Sequence, residues 1–131
     1  MIIALCASAK FFDKLWSIKE ELENRGHSVL LPSMKDFHHL NENSLAKIQF
    51  DLIKEHLNKI NKSDAIYVAN YDKNGIRGYI GGNAFLEMGK AFDKGIPIFL
   101  MNPIPENISY REELIALQPI VVGQDWNKLK S

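Results

Sequence analysis

The sequence predicts one α/β domain over residues 1–131: a three-layer sandwich with helices on both faces of a doubly wound, five-stranded parallel sheet. Short, nearly unbroken apolar runs alternate with longer segments whose apolar residues recur at helical spacing. The chain also has the length and composition for one core. It holds 131 residues, 46% hydrophobic and 24% charged, and a domain of that size hides roughly two thirds of the surface its unfolded chain exposes.

Taken in order, Ile2–Ala7 reads as a buried strand. Phe11, Leu15, Ile18 and Leu22 mark a helix that Gly26 ends. His27–Leu31 is the second strand, closed by Pro32, and the polar stretch Met34–Asn43 reads as a surface loop. Ser44 caps a second helix, whose stripe is Leu45, Ile48, Leu52, Ile53, Leu57 and Ile60. Asp64–Asn70 is the third strand, and an irregular glycine-bearing segment, Tyr71–Gly81, follows it. A third helix runs from Gly82 or Asn83 to Lys94 and stops at Gly95. Ile96–Met101 is the fourth strand. Ser109 and Glu112 form a capping box for a short helix ending near Gln118, Ile120–Val122 is the last strand, and a polar tail follows.

Charge and cysteine content exclude several classes. Sixteen Lys and Arg balance sixteen Asp and Glu, whereas a nucleic-acid binder needs clustered cations against phosphate. No apolar run approaches the ~20 residues of a membrane span. The single cysteine, Cys6, has no partner for a disulfide. The N-terminal strand lacks the basic flank of a signal peptide, so a cytoplasmic protein is expected.

Ligands of open α/β sheets bind beyond the carboxyl ends of the strands. That rule singles out Ala7–Phe11, the chain from Pro32 onward, Asn70–Gly82 and Asn102–Pro105. The eleven residues Tyr71–Gly81 exceed the usual ~2–6 residue connection, and such loops commonly carry function. Gly81, Gly82 and Asn83 open a helix, where free amides and the helix dipole favour an anion. Arg77 adds a charge-assisted contact there, and Asn70 stands at the mouth of the same loop. The two glycines serve a plain tight turn equally well.

Glu87 sits on that helix between Ala84 and Ala91, on the face beside Phe85, Met88 and Phe92. Nearness to the helix N-terminus is expected to keep it ionised, as a nucleophile requires; periodicity alone reads it as a half-exposed carboxylate. His56 lies beside the second helix's apolar stripe. An ordinary imidazole pKa near ~6.5 suits proton donation, although a lone His is more often structural. His38 and His39 fall in the polar loop and read as solvated, and Cys6 reads as a small core residue. No His or carboxylate spacing resembles a metal site, so neither metal nor cofactor is expected. No nucleophile elbow supports a Ser-His-Asp triad.

Ser63-Asp64-Ala65-Ile66-Tyr67-Val68, followed by Gly81-Gly82-Asn83-Ala84-Phe85-Leu86-Glu87-Met88-Gly89-Lys90-Ala91 and then Lys94-Gly95-Ile96-Pro97-Ile98-Phe99-Leu100, resembles the nucleoside 2-deoxyribosyltransferase superfamily. That group includes the 2′-deoxynucleoside 5′-phosphate N-hydrolases. The resemblance implies the flavodoxin-like strand order 2-1-3-4-5 and makes Glu87 the nucleophile at the anomeric carbon. It also implies a small nucleoside or nucleotide as partner, with no nucleic acid polymer or membrane, and a homodimer or larger homo-oligomer. Ser8 and Phe11 would shape the sugar and base pocket.

Two positions depart from the pattern. Eight residues before Asp64, the family's acid is an Asp, and here stands His56. Six residues before Glu87, transferases carry an Asp and the hydrolases a Ser, and here stands Gly81. A glycine there suits a 5′-phosphate held by backbone amides. The expected activity is therefore cleavage or transfer at the N-glycosidic bond of a (deoxy)nucleoside or its 5′-monophosphate. The alternatives are a non-catalytic nucleotide or sugar-phosphate sensor of the same fold, and a flavin binder that stacks Tyr71 or Tyr79 on the ring. A receiver domain is disfavoured, because the first strand ends without acidic residues. Base preference and the choice between hydrolysis and transfer depend on pocket shape, which spacing does not encode.

Overall fold

A computed structural model describes residues 1–33 and 41–130. Five strands, β1 (Ile2–Cys6), β2 (Ser28–Leu30), β3 (Ala65–Val68), β4 (Ile98–Leu100) and β5 (Ile120–Val121), form one sheet in the order β2-β1-β3-β4-β5. Every pairing is parallel. Four α-helices complete the alternation: α1 (Leu15–Glu23), α2 (Glu42–Asn61), α3 (Gly82–Lys94) and α4 (Arg111–Ala116). This is the expected flavodoxin-like, three-layer arrangement.

Alternating side chains of the buried strands feed two cores. Ile3, Leu5, Ala65, Tyr67 and Phe99 pack against Leu15, Ile18 and Leu22 of α1. Ala4, Cys6, Ile66, Val68, Ile98 and Leu100 face the opposite way, toward Ile60 of α2, Ala84, Met88 and Ala91 of α3, and Leu114 of α4. Cys6, Val68 and Leu100 share a register level at the carboxyl edge of the sheet. Chemistry placed there lies in the layer between the sheet and α2 and α3.

Several expectations need correction. The first helical segment is broken: Ala9–Lys14 is 3-10 helix, and α-helix begins only at Leu15. The tighter turn buries Phe11 against Tyr71, with ring centroids 4.9 Å apart, as well as in the α1 core. α2 starts at Glu42, so Ser44 falls in its first turn instead of capping it; the Asn41 carbonyl already accepts from the Leu45 amide. An acidic residue in a first turn suits the helix dipole. The Ser109–Glu112 capping box does not form either, because Tyr110 is the N-cap of α4 and makes no side-chain cap bond. The turn at Gly95 is as expected, with φ +78. Residues 34–40, with His38 and His39, lie outside the described residues.

The tail is not simply polar. Its 3-10 turn, Trp126–Lys128, buries Trp126, and Leu129 beside it is buried as well. The Trp126 ring lies 5.3 Å from that of Tyr67, and its indole N–H donates to Glu21 on α1. The Tyr67 hydroxyl donates to the Gly123 carbonyl at 2.6 Å. Trp126→Ala should therefore lower the unfolding free energy by about 3–5 kcal/mol, the usual cost of emptying a buried aromatic site. Urea unfolding reads this as a lower midpoint at unchanged slope. A midpoint equal to wild type would mean that the tail is not part of the cooperative core.

Candidate active site

Gly82 to Lys94 forms a helix whose buried stripe is Ala84, Met88 and Ala91. Phe92, expected on the same face, is 53% exposed, while Phe85 is half-buried and stacks on Tyr110 at 4.9 Å. Glu87 turns from this helix toward α2 and meets His56, with 3.5 Å between Oε2 and Nε2. The side chains are 12% and 4% exposed, so the contact is nearly dry. The same Nε2 lies 3.7 Å from Sγ of Cys6, the last residue of β1. Among the described residues, His56 Nδ1 is buried without a hydrogen-bond partner. Three reactive side chains, far apart in sequence, thus meet because the parallel fold stacks β1, α2 and α3 at one end.

Burial decides their protonation. Glu87 is pushed up from 4.5 to about 8 by desolvation, which a hydrogen bond from the Cys6 thiol opposes. His56 is pushed down from 6.5 to about 4, first by desolvation and then by the Lys59 charge, with the nearby Leu5 carbonyl and Glu55 opposing. The Cys6 thiol is held well above its ordinary value by burial and by Glu87. The resting pair is therefore carboxylic acid beside neutral imidazole. This corrects the expectation of an ionised Glu87, because removal from water outweighs the helix dipole. It equally corrects the expectation of His56 titrating near its ordinary value; Cys6 is the small core residue expected, buried with Ala4, Ile66 and Val68, and it also touches His56.

The other expected residues gather at the carboxyl edge. Asn70 is buried and committed to the loops: its side-chain amide donates to the carbonyls of Gly78, Asn102 and Pro103, and its oxygen accepts from the Asn102 amide at 2.8 Å. Ser8 accepts from Lys73 Nζ at 2.7 Å, which ties the loop after β1 to the loop after β3. Gly78 is required there, since its φ is +66 and a Cβ would lie 2.7 Å from the Pro103 carbonyl oxygen. Gly81 is the N-cap of α3, where a Cβ would press on the Tyr79 ring at 3.1 Å. A Cβ on Gly82 would meet nothing within 4 Å, and both Gly82 and Asn83 are exposed. Phe11 and Arg77, with Lys14, Tyr71, Asp72 and Asn102, line an open cleft of about 400 Å³. Lys14 Nζ lies 4.8 Å from the centre of the Tyr71 ring, so cation and aromatic face share one wall.

These shifts fix a pH dependence of stability. The folded chain keeps a proton on Glu87 that the unfolded chain releases, so that contribution is full below pH 4.5 and is lost as pH rises to about 8. For His56 the sign reverses: its contribution is full above pH 6.5 and is lost as pH falls toward 4. The two slopes cancel between 4.5 and 6.5, which leaves a net loss from 6.5 to 8. In chelator-containing buffer, Glu87→Gln should therefore gain on wild type in thermal midpoint as pH rises over that last interval. A margin that stays constant with pH would show that Glu87 is ordinarily ionised.

Comparison with known structures places the architecture. The chain is similar to a 2-deoxyribosyltransferase from the psychrotolerant bacterium Bacillus psychrosaccharolyticus, at 20% identity and a TM-score of 0.61, over 98% of this chain and 90% of that one. It is similar also to FerB, a flavoenzyme NAD(P)H:acceptor oxidoreductase from Paracoccus denitrificans, at 15% identity and a TM-score of 0.52, over 94% and 75%. The CMP N-glycosidase BcmB of Clostridium botulinum aligns at 18% identity and a TM-score of 0.48, over 96% and 92%. No family model matches the chain, and no curated protein matches it in sequence. The chain has the flavodoxin-like α/β fold that the Bacillus enzyme and FerB share.

Proposed function

We propose that this chain is an enzyme that cleaves or transfers at the N-glycosidic bond of a (deoxy)nucleoside or its 5′-monophosphate, with Glu87 as nucleophile and His56 as proton donor. The observation that carries this reading is the dry Glu87–His56 contact at 3.5 Å, beside Cys6 at the carboxyl edge of the sheet. Further support comes from the resemblance carried by residues 63–68, 81–91 and 94–100, and from a fold shared with a 2-deoxyribosyltransferase.

The resting pair holds one proton, on Glu87. Its transfer from Oε2 to Nε2 conserves charge overall and yields a carboxylate beside an imidazolium. The carboxylate then captures the anomeric carbon as its bond to the base breaks, and the imidazolium proton goes to the departing nitrogen. Water or a second base completes the cycle by releasing the sugar from Glu87. Arg77 and Lys14, on the cleft wall beside Tyr71, suit a phosphate next to a planar base.

Chromatography of free base, released from a panel of nucleosides and monophosphates, tests the assignment. Glu87→Gln should abolish release, and Arg77→Ala should raise KM for a monophosphate more than for its nucleoside. Equal release by wild type and Glu87→Gln would overturn the role of Glu87.

The pair also fixes a pH profile. One shared proton is present between about 4 and 8, so kcat/KM of the metal-free enzyme should be level there and fall above 8. His56→Ala should remove that upper limb and leave a weaker rate that rises toward 8. An unaltered upper limb in His56→Ala would exclude His56 as the donor.

A second reading, ligand binding without turnover, is favoured by the neutral resting state of Glu87. Calorimetry that shows tight nucleotide binding with no base released would select it.

A further inference from the structure

We propose that Cys6 Sγ, His56 Nε2 and Glu87 Oε2 form a three-ligand site for a borderline divalent cation, zinc foremost. The three atoms lie within 4.8 Å of one another, with 3.7 Å from sulfur to nitrogen and 3.5 Å from nitrogen to oxygen. A tetrahedral zinc ion, at ~2.3 Å from sulfur and ~2.0–2.1 Å from nitrogen or oxygen, sets its ligand atoms roughly 3.3–3.6 Å apart. The sulfur–nitrogen and nitrogen–oxygen spacings reach that pattern with shifts of tenths of an ångström, and the sulfur–oxygen pair lies within 4.8 Å. The nitrogen–oxygen contact is longer than a direct charge-assisted bond, which closes to ~2.7–2.9 Å.

The donor set chooses the ion. One sulfur, one imidazole nitrogen and one carboxylate oxygen suit zinc or cobalt, whereas magnesium and calcium take oxygen ligands. Cys6 and His56 are 1% and 3% exposed, and Glu87 stands on the rim of the cluster. Three protein ligands leave a fourth position for water or an exogenous anion. On binding, the Cys6 S–H bond breaks, its proton passes to water, and the sulfur lone pair forms the metal bond. Any proton on Glu87 leaves in the same way, and no electrons are transferred. Among the described residues, His56 Nδ1 has no hydrogen-bond partner to orient the ring, and such support is commonly worth 10–100-fold in affinity. Binding should therefore be about 10–100-fold weaker than at a site whose histidine is so supported. If the glycosidic reading above holds, the ion occupies the nucleophile, and zinc is a reversible inhibitor.

Cobalt(II) titration of the full-length, tag-free chain tests the site. Because Cys6 is the sole cysteine, any thiolate-to-cobalt charge-transfer absorption reports on it directly, without a variant. One equivalent of cobalt should give that band together with tetrahedral ligand-field bands, and zinc should displace both. Cys6→Ser should lose the charge-transfer band, and His56→Gln should bind at least 10-fold more weakly. A wild-type spectrum identical to that of the aqueous ion would overturn the proposal, as would equal affinity and spectrum in Cys6→Ser. Base release, assayed separately with zinc and then excess chelator, should fall and recover. A cobalt–thiolate band from a chain that releases no base would sustain the metal site and refute the glycosidic reading; release without the band would do the reverse.

Discussion

Withdrawal of Glu87 from water is the constraint on which the rest of the site depends. A carboxyl group on the second turn of α3 would ordinarily stay ionised, helped by the positive end of the helix. Here the sheet, α2 and α3 close around it, and desolvation outweighs the dipole. The same burial strips His56 of its proton and keeps Cys6 a thiol. Three groups that could each carry charge are held neutral together, and each limits what the others can do.

That neutrality suits the bond cleavage proposed above. A carboxylate and an imidazolium exposed to water would be quenched by solvent and salt. A pair that stores one proton in a dry layer can turn into acid and nucleophile by moving that proton a short distance. Lys14, Arg77 and the Phe11–Tyr71 aromatic pair line the open cleft, while Asn70 ties the loop that carries Tyr71 and Arg77 to Asn102 and Pro103. Under the proposed reading, rigidity falls to Asn70 and chemistry to Glu87.

Much of the architecture could be read from the chain alone. Continuous apolar strands and the Gly95 stop follow from local rules, and β3 and α3 stand within a residue or two of where periodicity puts them. The errors have local causes too. Ser44 and Ser109 looked like caps, but the backbone began its helices at neighbouring residues. Trp126 and Leu129 were hidden by the lysines, asparagine and aspartate around them. The loop after β3 contains a tight turn at Lys73–Ile76, with positive φ at Asn74 and Gly75. The Asn-Gly pair is its sequence signal.

The site itself was only half readable. Helix position singles out Glu87 and His56 and the resemblance gives them roles, whereas their protonation is not legible, because burial is a property of the packed layers. Cys6 carried no signal at all: nothing in the spacing of residues 6, 56 and 87 announces that one parallel register stacks them together. The protonation state of Glu87 is read most directly by carbon-13 NMR of its side-chain carboxyl in the metal-free chain. A neutral carboxylic acid at neutral pH, titrating near 8 beside an unprotonated His56, is the expected result. A carboxylate already formed near pH 5, beside an imidazolium, would contradict it.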